Sequence, residues 1–267
     1  MTFKDHNPDG QRNTAIDKTL SILEMVASTE EGIALAELAK RLDMPKSTVH
    51  RLMETLKSRD YVEYDPANEK YIVGLRAVEI GVSGLMNLES VDVAKPYLSD
   101  LALSTGETSF FAVYNNGEIV YLYKTEGTRS IRTTAQLGMR KPVHCTGLGK
   151  AILSSFSVEE VDKILNVKGM SKFTERTITS RREFHEELSR VRLNGYAVDR
   201  EETEIGLTCF AVPIYNYTGR AIGGISIAGP NVRMFENQKA FVQKLKDAAL
   251  HISRRLGFVP SMRVYGT

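Results

Sequence analysis

The sequence predicts a mixed architecture: a mainly α-helical winged helix-turn-helix, a linker helix, and then a larger α+β domain on a mostly antiparallel sheet. Three observations predict it. Residues 34–59 carry the same apolar helical stripe twice, on either side of a short break. Two β-prone runs then flank a proline-containing turn at residues 65–70. Farther along, hairpin-joined strand patterns lie between helical ones, with helices at both ends.

Taken in order, residues 1–13 are polar, lack the apolar region of a secretory signal and read as a disordered arm. The winged domain spans residues 14–74. Its first helix carries Ile16, Leu20, Leu23 and Ala27 on one stripe and ends near residues 28–32. Leu35, Leu38, Ala39 and Leu42 mark the second helix, and Val49, Leu52, Met53 and Leu56 the third. Asp43, Met44 and Pro45 break the period between them, proline being at home only at a helix start. The outer side of the third helix displays Lys46, Ser47, Thr48, His50, Arg51 and Thr55. That is the layout of a recognition helix in the DNA major groove. Ser47 and Thr48 could instead cap the helix, and His50 could face solvent.

Tyr61–Tyr64 and Tyr71–Val73 form the wing hairpin. Leu75, Val78, Val82 and Leu85 then follow an a/d spacing, which reads as a linker helix over 75–90 that packs against a partner subunit. An ordinary helix lying on its own domain is the alternative. Gly81 and Gly84 make it a poor helix in isolation.

The second domain is assigned to residues 91–267 and opens with a helix over 91–104. Strands at 107–114 and 118–124 flank Asn115-Asn116-Gly117, a type I′ hairpin signal. Helices are predicted at 147–155, 158–166 and 181–194, and strands at 196–201, 208–216 and 220–228. A last helix shows Phe241, Leu245, Ala248 and Ile252 on one face, with Gly257 as its cap.

Composition bounds the function. With 42% apolar and 25% charged residues, the chain can bury true cores and is no extended disordered protein. No apolar run approaches the about 20 residues of a membrane helix, so a cytoplasmic protein without membrane contact is expected. Residues 1–74 hold 10 Lys+Arg against 13 Asp+Glu, a net of −3, so bulk charge does not argue for DNA. Local placement does: residues 45–59 hold Lys46, Arg51, Lys57 and Arg59 against Glu54 alone.

Several chemistries find no support. Gly147-Leu148-Gly149-Lys150 is too short for a phosphate loop, and Ala151 stands where that loop needs a hydroxyl. His144-Cys145 could suggest a thiol nucleophile, but no Asn or Asp orienter can be placed. Five histidines without ligand spacing argue against a metal, no cofactor is expected, and Glu201-Glu202 read as solvated acids.

Strand alternation sets Ser226 and Ala228 on the face opposite Ile225 and Ile227, and Cys209 with Ala211 opposite Phe210 and Val212. A Ser and a Cys turned away from large apolar neighbours could line a small polar pocket.

Pro45-Lys46-Ser47-Thr48-Val49-His50-Arg51-Leu52 resembles the recognition-helix signature of the IclR-type transcriptional regulators. The resemblance continues through Asp60-Tyr61-Val62, Lys70-Tyr71 and Gly74-Leu75. It takes in His144-Cys145-Thr146-Gly147-Leu148-Gly149-Lys150-Ala151, Asp199-Arg200-Glu201-Glu202, Gly206-Leu207-Thr208-Cys209 and Ile225-Ser226-Ile227. It therefore spans roughly residues 14–258. The resemblance implies a GAF/profilin-like second domain that binds a small organic acid and joins subunits into a homodimer, or a tetramer as a dimer of dimers. It implies effector contacts at Gly147, Leu148, Asp199, Leu207, Cys209 and Ser226, with Ala228 standing where some members have a second hydroxyl. It implies binding to double-stranded, pseudo-palindromic operator DNA, typically as a repressor of a catabolic operon and without enzymatic activity. An enzyme using Cys145 or Cys209, and a ligand-independent architectural protein, are the rival classes.

Overall fold

The computed structural model describes residues 14–29, 31–86 and 89–259. The arm expected at residues 1–13 lies outside them. The chain divides into two compact units between residues 87 and 88.

The first unit holds helices α1 (Thr14–Ala27), α2 (Leu35–Arg41) and α3 (Lys46–Lys57), strands β1 (Val62–Asp65) and β2 (Lys70–Val73), and helix α4 (Leu75–Met86). Its core gathers Ile22 and Val26 of α1, Leu38 and Ala39 of α2, and Val49, Leu52, Met53 and Leu56 of α3. All four stripe positions predicted for α3 are buried. Between α2 and α3, Asp43 takes a positive φ of 49° and the Met44 N–H donates to the Ala39 carbonyl at 2.9 Å, which closes the turn. In the wing, both Asp65 oxygens accept, from the Ala67 N–H at 2.9 Å and the Asn68 amide at 2.7 Å. Ile33 adds a bridge to Tyr71 and so ties the loop before α2 to the wing.

One expected face differs. α1 forms, but it buries Ile22 and Val26 and leaves Ile16 and Leu20 56% and 51% exposed. Its apolar residues span two adjacent stripes, and the neighbouring helices cover only one. On α4, Leu75, Val78 and Val82 are also exposed, so its apolar seam is not covered by its own unit. The Leu85 side chain lies outside the described residues.

The second unit runs α5 (Glu89–Thr105), β3 (Thr108–Asn115), β4 (Glu118–Thr125), β5 (Arg140–Pro142), α6 (Gly147–Leu153), α7 (Val158–Lys168), α8 (Arg181–Asn194), β6 (Ala197–Arg200), β7 (Leu207–Tyr215), β8 (Ala221–Pro230), α9 (Asn231–Glu236) and α10 (Gln238–Arg255). Its six strands pair in the order β5-β4-β3-β8-β7-β6, and every pairing is antiparallel. The β3–β4 turn has Asn116 and Gly117 at φ of 50° and 80°, the two positive angles of a type I′ turn. At the end of α10, the Phe258 N–H donates to Ser253 and the Gly257 N–H to Arg254, a Schellman cap on the predicted glycine. Two short elements, β5 and α9, carry no period in the sequence and went unpredicted. Helices α5 and α10 pack on the sheet and on each other, while α6 packs on β7 and β8.

Candidate functional site

On α3, Lys46, Ser47, His50, Arg51 and Thr55 are exposed and Thr48 is half-buried. Pro45 occupies the N-cap position and no side chain caps the helix. The capping alternative for Ser47 and Thr48 therefore falls away, and both hydroxyls are left for other partners. Thr55 Oγ1 donates back to the Arg51 carbonyl at 3.2 Å. Among the described residues neither Lys46 nor Arg51 is held in an ion pair, so both cations are available to an external anion. Lys57 instead lies 6.0 Å from the Tyr64 ring centroid.

In the second unit, Gly147, Leu148, Asp199, Leu207, Cys209 and Ser226 come together on one cavity of about 100 Å³. The strand register explains the convergence. Cys209 pairs with Ala228, and Ser226 lies between Ala211 and Phe110, so these side chains share the face that α6 covers. Gly147 lets α6 settle there, since a Cβ on it would lie 3.2 Å from Cys209 Sγ. Thr146 caps α6 by accepting from the Gly149 N–H at 3.1 Å, which leaves the Gly147 and Leu148 N–H groups at the helix start.

The electrostatics of the cavity are mixed. Asp199 is 3% exposed; its oxygens accept from the Glu202 N–H at 2.7 Å and Thr203 Oγ1 at 2.8 Å. Burial raises its carboxyl above the usual range despite those two bonds. Burial first, and the Asp199 charge second, push the Cys209 thiol up to about 12. Cys145, fully buried, is pushed up to about 12 in the same way. Neither sulfur is an activated thiolate, so the site has no nucleophile of that kind. Sequence reasoning missed Lys141, Thr133, Thr134, Thr146 and Thr203, which also line the cavity. Lys141 lies three residues before the His144–Ala151 run and could have been suspected from that; residues 131–139 offer no period at all. An adjoining hollow of about 230 Å³ shares Thr133, Thr134, Glu204 and Leu207 with it.

A larger hollow of about 390 Å³ between α8 and β6 includes none of the six predicted residues. Its Arg190 already pairs with Glu187 at 2.9 Å and its Arg176 with Glu201. Glu201 and Glu202 are 5% and 3% exposed, which corrects the expectation of a solvated acidic run. Turn geometry folds both acids inward, where Gly206, Arg176, Lys150 and Arg200 meet them.

Burial is the main cause that raises the Glu202 carboxyl from 4.5 to about 7. A folded-state value above the unfolded one means the folded chain binds more protons, so this group's contribution to stability falls as pH rises from 4.5 to about 7. Glu202→Gln is expected to flatten that part of the unfolding-midpoint profile; an unchanged slope between the two pH values counts against the assignment.

Among the described residues no His, Cys, Asp and Glu group is disposed to hold a metal ion, and no helix is long and apolar enough to cross a membrane.

Comparisons with known proteins place these features in a family. The family model described as the IclR helix-turn-helix domain matches residues 15–66, and that described as the bacterial transcriptional regulator IclR C-terminal matches residues 82–254. The HTH-type transcriptional regulator KdgR of Dickeya chrysanthemi is 35% identical over 255 residues, 95% of this chain and 83% of that protein. The HTH-type transcriptional repressor AllR of Escherichia coli is 32% identical over 246 residues, 91% of this chain and 90% of its own. The crystal structure of Thermotoga maritima IclR superposes with a TM-score of 0.76 at 31% identity, covering 92% of this chain and 100% of that one. With a helix-turn-helix in one unit and a cavity of mixed polar and apolar lining in the other, this chain belongs to the IclR family of bacterial DNA-binding transcriptional regulators.

Proposed function

We propose that the cavity beneath α6 is an effector site and that a small organic acid bound there sets the affinity of the α3 helices for operator DNA. The observation that carries this reading is the convergence of Gly147, Leu148, Asp199, Leu207, Cys209 and Ser226, from four separate elements, on one partly open cavity of mixed polar and apolar lining. Lys141 and the Gly147 and Leu148 N–H groups suit a carboxylate, while Asp199 and Thr203 suit a hydroxyl or hydrated carbonyl at its far end. A cavity of about 100 Å³ favours a small 2-oxo or hydroxy acid. The adjoining hollow gives a longer sugar-acid or aromatic tail somewhere to go.

Domain roles follow: residues 14–74 contact DNA through Lys46, Ser47, Thr48, His50, Arg51 and Thr55, residues 75–90 link, and residues 91–267 bind effector and join subunits. The exposed Leu75, Val78 and Val82 support a homodimer, with a dimer of dimers as the larger assembly. Two recognition helices then fit a pseudo-palindromic operator. The similarity to AllR, a named repressor, supports repression; the two free cysteines fit a reducing, cytoplasmic setting, and their raised thiols speak against thiol catalysis.

A thermal-shift panel of pyruvate, glyoxylate, gluconate and 4-hydroxybenzoate tests the cavity. At a hundredfold excess over Kd, a true ligand adds about 2.7 kcal/mol, and so roughly 5–10 °C for a unit of this size. Asp199→Ala should lose that shift. No response to any acid, or an equal response in Asp199→Ala, would sink the reading.

A further inference from the structure

Lys150 does not touch the cavity, yet it is completely buried, 0% exposed, on the helix whose first residues line it. An ammonium removed from water is stable only when its N–H donors are all matched. Lys150 Nζ has three donors and three acceptors: the Val198 carbonyl, Glu202 Oε1, and Glu187 Oε1 at 3.4 Å. Two of these bracket Asp199 in sequence. The Glu202 carboxylate that meets Lys150 also accepts from the Arg200 N–H at 3.3 Å, and the Glu202 N–H donates to Asp199 Oδ1 at 2.7 Å.

The turn is held from its other side as well. Thr174 and Thr177 hydroxyls donate to the Glu201 and Glu202 carbonyls, each at 2.7 Å, and Glu201 is kept at a φ of 62°. The segment from Val198 to Leu207 supplies Asp199, Thr203, Glu204 and Leu207 to the cavity, and Lys150 is the one buried cation that ties it to α6. If packing alone were required at this position, an apolar side chain of similar length would serve without any matched acceptors.

We propose that Lys150 is a positioning residue of the effector cavity: by holding Val198 and Glu202 it fixes the Asp199 carboxyl group in the cavity wall relative to the start of α6. The ligand part of this inference rests on reading the cavity as the effector site; the positioning part does not. Lys150 thereby makes the geometry around a bound acid depend on a charge the acid never meets.

The test uses the full chain carrying Lys150→Met, and the double variant Lys150→Met/Glu202→Gln. The double variant removes both charges of the Lys150–Glu202 pair, and Glu187 keeps Arg190, so it keeps the fold measurable if the single variant does not fold. Hydrogen exchange followed by mass spectrometry is expected to show residues 199–206 exchanging about tenfold faster in the variant, with α8 and α10 unchanged. Exchange in 199–206 equal to the wild-type protein, or raised evenly across the unit, overturns the proposal. In parallel, at a temperature where both chains are folded, any panel acid that binds the wild-type chain should bind the double variant at least about tenfold more weakly; undiminished affinity overturns the link from Lys150 to the ligand. If no panel acid binds the wild-type chain, the effector reading fails, and the exchange result still decides whether Lys150 positions the wall.

Discussion

Replacing Arg51 with alanine is expected to weaken operator binding by about thirtyfold or more at fixed salt, without disturbing the fold. An arginine contact to a base edge or phosphate contributes about 1–3 kcal/mol, and the proposed homodimer would place two copies on the DNA, which doubles the free-energy loss. Arg51 is exposed and held by no ion pair among the described residues, so its loss removes nothing from the core formed by Val49, Leu52, Met53 and Leu56. Alanine is also at least as good a helix former at that position. Fluorescence anisotropy with labelled operator, alongside a thermal melt, separates the two effects. A salt slope that drops by about one per subunit identifies a phosphate contact; a loss confined to particular operator bases identifies base reading. An operator affinity equal to that of the wild-type chain would remove α3 from the recognition role.

Gly149→Ala should strongly destabilise the second unit. Its Cβ would lie 2.2 Å from the Val143 carbonyl oxygen, 2.4 Å from Val143 Cα and 2.6 Å from its carbonyl carbon. All three are backbone atoms, so relief requires α6 or the segment carrying Val143 to move. The helix-propensity gain of alanine, about 1 kcal/mol, is smaller than the expected strain of at least about 3 kcal/mol. The net loss of about 2 kcal/mol or more should lower the unfolding midpoint of this unit by at least roughly 4–8 °C, and organic-acid binding should fall with it because Gly147 and Leu148 ride on the same helix. A calorimetric trace with the wild-type midpoint would show that α6 does not depend on this close approach.

These two positions also show what a sequence can and cannot display. The α3 stripe was legible because a helix buried on one side repeats its apolar residues at fixed spacing, and each of its four stripe residues is in the core. Periodicity gave the wrong face for α1 because two neighbouring stripes are both apolar, and only tertiary contacts choose Ile22 and Val26 over Ile16 and Leu20. In the second unit, alternation gave the shared face of Cys209, Ser226 and Ala228, which the register of β7 with β8 realises. It could not show that α6 and the 131–141 segment roof that face, since Thr133, Thr134 and Lys141 follow no period.

Buried charge was the least legible feature. A lysine next to glycines, or two successive glutamates, ordinarily implies solvent. Lys150, Glu201 and Glu202 are instead within the fold, because Lys150 and Glu202 pair across the chain and Glu201 meets Arg176 and the Gly206 N–H. The short β5 and α9 escaped for a simpler reason: three and six residues are too few to show a repeat.

If occupancy of the cavity changes DNA affinity, linkage makes the change measurable in one titration. An effector can shift operator binding only by its differential affinity for the free and DNA-bound arrangements, and the coupling is typically about 1–3 kcal/mol. Operator affinity should therefore be measured with and without a saturating acid identified by the thermal-shift panel, in the wild-type chain and in Asp199→Ala. The expected result is a shift of about fivefold or more in the wild-type chain and none in Asp199→Ala, whose ligand-free operator affinity stays at the wild-type value. An operator affinity that does not respond to a bound acid in the wild-type chain, or that responds equally in Asp199→Ala, would contradict the account.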